Sequence, residues 1–129
     1  MGERALLRLL LALSPIMVAG CSGIDHATLD GVTTMPDDSM LTNTTGRMRT
    51  GIAAGLRPRV WTHDLWGTHE EGSGGIDVET SNAAVLRVAH VTNDNRYVVW
   101  AAAPGEATLS VTLDGESAMR VRVTVTDQP

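Results

Sequence analysis

At 129 residues the chain has room for one domain, and its single cysteine excludes both an intramolecular disulfide and a multi-cysteine metal site. Its ten basic side chains, all Arg, face 15 Asp and Glu, for a net charge of −5. Such a surface repels nucleic acid and anionic lipid headgroups, so no electrostatic partnership with either is expected.

The chain opens with a short positive stretch carrying Arg4 and Arg8. An apolar run follows, from Leu6 through Leu13 to Ile16, Met17 and Val18, broken by Ser14 and Pro15. A bilayer-spanning helix needs about 20 unbroken apolar residues, so this run has the pattern of a secretory signal and not of a transmembrane anchor. It ends in Val18-Ala19-Gly20-Cys21, which resembles the lipobox of bacterial lipoproteins: an aliphatic residue, two small residues and the cysteine. The resemblance implies cleavage of a signal peptide, residues 1–20, between Gly20 and Cys21. It also implies a diacylglycerol on the Cys21 thiol and acylation of the new amino group, palmitate-like chains that together hold a protein stably on a membrane. Ser22 in the next position implies, by the same resemblance, sorting to the outer membrane if the host is Gram-negative. The processed chain keeps 14 acidic and 8 basic side chains, a net charge of −6.

Residues 21–46 are rich in Ser, Thr, Asp, Gly and Asn around Pro36, with no sustained period of 3.6 or 2. They are expected to form a flexible tether beyond the lipidated Cys21. A first strand using Met35, Met40 and Leu41 is the alternative.

From about residue 47 to 129 the texture is β. Leu56 to His63 is the first run. Ile76-Asp77-Val78-Glu79-Thr80 alternates as a half-buried strand should, and runs follow at Val85 to Val91, Tyr97 to Ala102, Ala107 to Leu113 and Met119 to Val125. Asn93-Asp94-Asn95 marks one turn. Asp114-Gly115 marks another, a tight hairpin flanked by Leu109, Val111 and Leu113 on one side and Met119, Val121, Val123 and Val125 on the other, with Arg120 and Arg122 facing solvent. Six or seven strands at this spacing predict an all-β, antiparallel sandwich or barrel.

Thr80-Ser81-Asn82, Val85-Leu86-Arg87-Val88, Val99-x-Ala101 and Pro104-Gly105-x-Ala107-x-Leu109-x-Val111 follow one another in an order that resembles bacterial Ig-like domains of group 2. There, W-x-S-S-N-x-x-V-x-x-V leads through a variable turn to V-x-A-x-x-P-G-x-A-x-I. The resemblance implies an Ig-like fold over about residues 48–126. Val78 stands where the family carries Trp, which implies different core packing, and Asn93-Asp94-Asn95 replaces the usual glycine turn.

His63, Asp64, His69, Glu70 and Glu71 are the clustered titratable groups. The two imidazoles lack zincin spacing and no calcium-loop pattern accompanies them, so a solvated loop is expected and no metal or other cofactor. Trp66, beside Gly67 in that loop, is the candidate contact for a glycan or protein partner, with His63 and His69 nearby. Trp61 and Trp100 are expected to fill a core that contains no Phe. No nucleophile with a base and no phosphate loop can be proposed, so an enzyme is not expected. The expected protein is a lipid-anchored envelope module with a structural, adhesive or protein-interaction role, the alternatives being a ligand-binding lipoprotein using the Trp66 loop or a metal-handling one using His63 and His69.

Overall fold

Alternation of apolar and polar residues organises the chain into strands whose inward faces meet. A computed structural model describes residues 23–63, 69–71, 75–92 and 95–127. Ten strands run in order: β1 (Gly23–Asp30), β2 (Met40–Leu41), β3 (Thr45–Arg49), β4 (Ala53–His63), β5 (His69–Glu71), β6 (Ile76–Thr80), β7 (Leu86–Thr92), β8 (Arg96–Ala101), β9 (Gly105–Leu113) and β10 (Glu116–Thr126). One sheet has the order β1-β4-β8-β7, with β5 also paired to β4; the other has the order β2-β3-β10-β9-β6.

The two sheets share one core. Leu29, Leu56, Val60, Leu86, Tyr97, Val99 and Ala101 from the first pack with Met48, Ile76, Val78, Leu109, Val111, Val121, Val123 and Val125 from the second. All-β sandwich architecture follows. Every strand pair is antiparallel except β3 with β10, which run parallel from Thr45↔Arg122 to Arg49↔Thr126. That parallel pair departs from the purely antiparallel expectation. β3 lies between short β2 and long β10; it follows β2 through a hairpin at Thr42–Thr45, and β2 itself is reached from β1 at the edge of the other sheet.

The Asp114-Gly115 hairpin forms as the sequence indicates. Asp114 and Gly115 take φ of 51° and 84°, the left-handed values of a two-residue turn whose twist matches its strands. β9 and β10 then pair from Leu113↔Glu116 to Gly105↔Val125, with a bulge between Ser117 and Met119. Val121, Val123 and Val125 are buried, while Arg120 and Arg122 are exposed. At Pro104-Gly105 the glycine is required twice over: its φ is 142°, and a Cβ there would meet Val85 Cγ2 at 2.8 Å.

The reading of residues 21–46 as a flexible tether is corrected from Gly23 onward. β1 pairs with β4 from Gly23↔His63 to Asp30↔Arg57, and β2 and β3 build the edge of the second sheet. Within β1, Leu29 is buried, with Ala27 and Ile24 packed against the core. Asn43 Oδ1 accepts from the Leu29 amide at 2.8 Å, and the Ser39 hydroxyl accepts from the Arg49 amide at 3.1 Å, so polar residues that resemble a linker cap strand ends instead. Residues 1–20, with Gly20, the lipid-site Cys21 and the sorting Ser22, lie outside the described residues.

Candidate functional site

Strand periodicity decides which side chains leave the core. On β4, Leu56, Pro58 and Val60 point inward, so Gly55, Arg57, Arg59, Trp61 and His63 line the outer face of the first sheet. On β8 the inward set is Tyr97, Val99 and Ala101, which turns Val98 and Trp100 outward. The expectation that Trp61 and Trp100 fill the core is therefore corrected: both are half-buried on the outer surface. Among the described residues the aromatic ring of the core is Tyr97, 3% exposed, and its hydroxyl donates across the sandwich to the Ile76 carbonyl at 3.0 Å. Burial pushes the Tyr97 phenol above its ordinary pKa, and the Asp77 carboxylate adds to the shift.

Around Trp61 the outer face is a connected set of side chains. His26, the cross-strand neighbour on β1, stacks on the indole at 4.4 Å between centroids. Arg59 sits over the same ring at 4.7 Å. Its Nε and Nη2 donate to the two oxygens of Glu71 on β5, each at 3.0 Å, and Nη1 donates to Asp30 on β1 at 3.1 Å. This fork holds the Glu71 carboxyl below its usual range and the Arg59 guanidinium above its own. The set ties β1, β4 and β5 together from above the sheet.

Beside it lies an open groove of about 420 Å³. Gly55 and Val98, cross-strand partners on β4 and β8, leave a low place in the surface. Arg57, Arg59, Arg96 and Asp30 border it, with Val91 and Thr33. Thr33 is fastened there by two bonds to Gly55: its amide donates to the Gly55 carbonyl at 3.0 Å and its hydroxyl accepts from the Gly55 amide at 2.9 Å. Arg57 and Arg96 are exposed, and Val91 is 56% exposed.

Of the residues singled out in the sequence, His63 and His69 become cross-strand partners in the β4–β5 ladder, a juxtaposition their spacing does not show. His63 Nδ1 is buried and lacks a hydrogen-bond partner among the described residues. Among those residues no group of three or more His, Cys, Asp or Glu side chains assembles as a metal cage. Trp66 and its neighbours 64–68 lie outside the described residues. The groove arginines and the His26–Trp61–Arg59 set escape sequence reading because they converge from three strands, β1, β4 and β8. The only local signal is the charged alternation Arg57-x-Arg59-x-Trp61.

No family model and no curated protein sequence matches the chain. Solved structures do resemble it in shape. Domains 4 and 5 of the S-layer protein SbsC match with a TM-score of 0.50 at 18% identity, covering 74% of this chain and 52% of that one. Domains 5–6 of SbsC match with a TM-score of 0.53 at 16% identity, covering 84% and 46%. The longer rSbsC structure matches with a TM-score of 0.51 at 17% identity, covering 76% and 13%. The chain thus spans about half or less of the length of these structures, and the fold it has is similar to that of S-layer protein β domains.

Proposed function

We propose that this chain is a lipid-anchored cell-envelope protein whose Ig-like module has a structural, adhesive or protein-interaction role. The observation that carries the reading is the likeness of most of the chain to successive domains of a surface-layer protein. The Val18-Ala19-Gly20-Cys21 box supports the anchor, with Ser22 favouring the outer membrane in a Gram-negative host. The left-handed Gly105 in the Pro-Gly turn supports the group 2 Ig-like assignment, since the motif is placed where that chain reversal is needed. A fold of this kind hosts many roles, so the partner is a separate question.

The start of β1 at Gly23 changes what an anchor at Cys21 means. Two residue steps span at most about 7 Å, so the module would rest against the headgroups with no stalk. The test is membrane fractionation with mass spectrometry of the extracted protein. The expected product begins at Cys21 with added acyl mass, and Cys21→Ala leaves an unlipidated precursor. An unmodified Cys21 thiol in the mature chain refutes the anchor.

A further inference from the structure

A sheet that does not close on itself ends in strands whose amides and carbonyls face water, and such edges pair with other strands unless something guards them. Among the described residues the two sheets end in β1, β7, β2 and β6. Three of these ends are guarded. On β1 a bulge lies between Ile24 and His26, and the Leu29 amide donates to Asn43. β2 is two residues long. On β6 the Val78 amide donates to the Asp77 carboxylate, the Ile76 carbonyl accepts from Tyr97, and Asp77 and Glu79 set charge along the strand.

β7 lacks such guards. It runs for seven residues, and residues 83–92 contain no Asp, Glu, Lys or Pro. The direction of its backbone groups follows from the register. Ala101 donates to the Ile52 carbonyl and accepts from the Gly51 amide, so its polar groups face the start of β4. Alternation turns Trp100 and Val98 the other way, onto their partners Arg87 and Ala89, and leaves Val88 and His90 pointing out of the sheet. The amides and carbonyls of Val88 and His90 have no partner among the described residues.

This open stretch has a limit at each end. The Leu86 amide is taken by the Asn82 carbonyl at 3.0 Å, and a bulge lies between His90 and Thr92. Its centre is Ala89. A second β7 laid antiparallel about a two-fold axis at Ala89 sets Val88 of each copy opposite His90 of the other, and each such pair exchanges two hydrogen bonds. Across the axis Ala89 meets its own copy, small against small. Arg87 comes to lie opposite Val91, whose side chain is 56% exposed. The two Arg87 residues then stand four steps apart along the seam, about 13 Å, where salt screens their repulsion. The chain as a whole carries −5, and this carboxylate-free stretch lets two copies approach without the repulsion met elsewhere. A foreign partner would need an unguarded strand of its own, whereas every copy of this chain brings one of matching geometry.

We propose that β7 is a self-association edge, through which two copies of this chain pair antiparallel about Ala89 into one continuous sheet. The pairing does not rest on the Cys21 anchor, so failure of one reading leaves the other standing. The full chain in neutral detergent, with Cys21→Ser in every sample so that an introduced thiol is the only one, is tested in two ways. In sedimentation velocity the dimer fraction should rise with concentration, since five residues a side make a small seam beside the ~1,200 Å² of a stable interface. His90→Pro removes an outward amide and leaves the β8 ladder intact, and it should weaken association at least tenfold. The second test is oxidation. Ala89 and its copy form a non-hydrogen-bonded pair with Cα atoms about 4.5 Å apart, within disulfide reach. Ala89→Cys should therefore yield a disulfide-linked dimer, while Arg87→Cys, about 13 Å from its copy, should not. If the melting curve shows that His90→Pro does not fold, the two cysteine variants decide alone. A monomer at every concentration, full association of folded His90→Pro, no disulfide from Ala89→Cys, or equal cross-linking at both positions each overturns the proposal.

Discussion

Tyr97→Phe isolates a buried side-chain bond that crosses the sandwich. The phenol is 3% exposed, and its hydroxyl reaches the Ile76 carbonyl at 3.0 Å on the opposite sheet. Phenylalanine keeps the ring, including its stacking with His90 at 4.6 Å, so the loss is confined to the oxygen. Removing one partner leaves a buried carbonyl unsatisfied, which costs about 1–3 kcal/mol. For a domain of this length that lowers Tm by roughly 4–8 °C per kcal/mol. The same bond has a pH signature. The folded phenol has a raised pKa, so between pH ~10 and the folded value the unfolded chain has released a proton that the folded chain retains. Stability from this group is complete below the unfolded pKa of about 10 and declines as pH rises through the folded one. Urea titrations at pH 7 and pH 11 should show the parent losing more stability on alkalinisation than Tyr97→Phe does. Equal stability at pH 7, or an identical alkaline loss in the two proteins, refutes the argument.

Leu29→Ala tests the membership of β1 in the domain: a buried leucine truncated to alanine should cost about 2–5 kcal/mol in denaturant titration, whereas a residue in a loose tether would cost nothing measurable. Gly105→Ala should destabilise by about 1–3 kcal/mol, because it combines a φ of 142° with a 2.8 Å approach to Val85, and Gly115→Ala by less, since nothing lies within 4 Å of a Cβ there. Trp100→Ala should cost less than the core value of about 3–5 kcal/mol, its ring being half-buried on the outer face; a loss as large as that of a core aromatic would place it inside after all.

Strands with clean alternation are legible in the sequence. Ile76 to Thr80, Ala107 to Leu113 and Val121 to Val125 each show period 2, and the Asp-Gly turn sets the register of the last pair. β1 was illegible for a definite reason. In Gly23-Ile24-Asp25-His26-Ala27-Thr28-Leu29-Asp30 only Leu29 is buried, and a bulge between Ile24 and His26 breaks the alternation. An edge strand with one inward anchor has the composition of a linker. Its stability comes from the β4 ladder and from Asn43, neither of which is local in sequence. The tryptophans misled in the opposite direction. Size alone suggests burial, but the face of Trp100 is fixed by its neighbours: Tyr97, Val99 and Ala101 already occupy the inward positions of β8. The groove was beyond reach for the same reason as the β1 ladder, since Asp30, Arg57, Arg96 and Val91 come from four strands and meet only through sheet order.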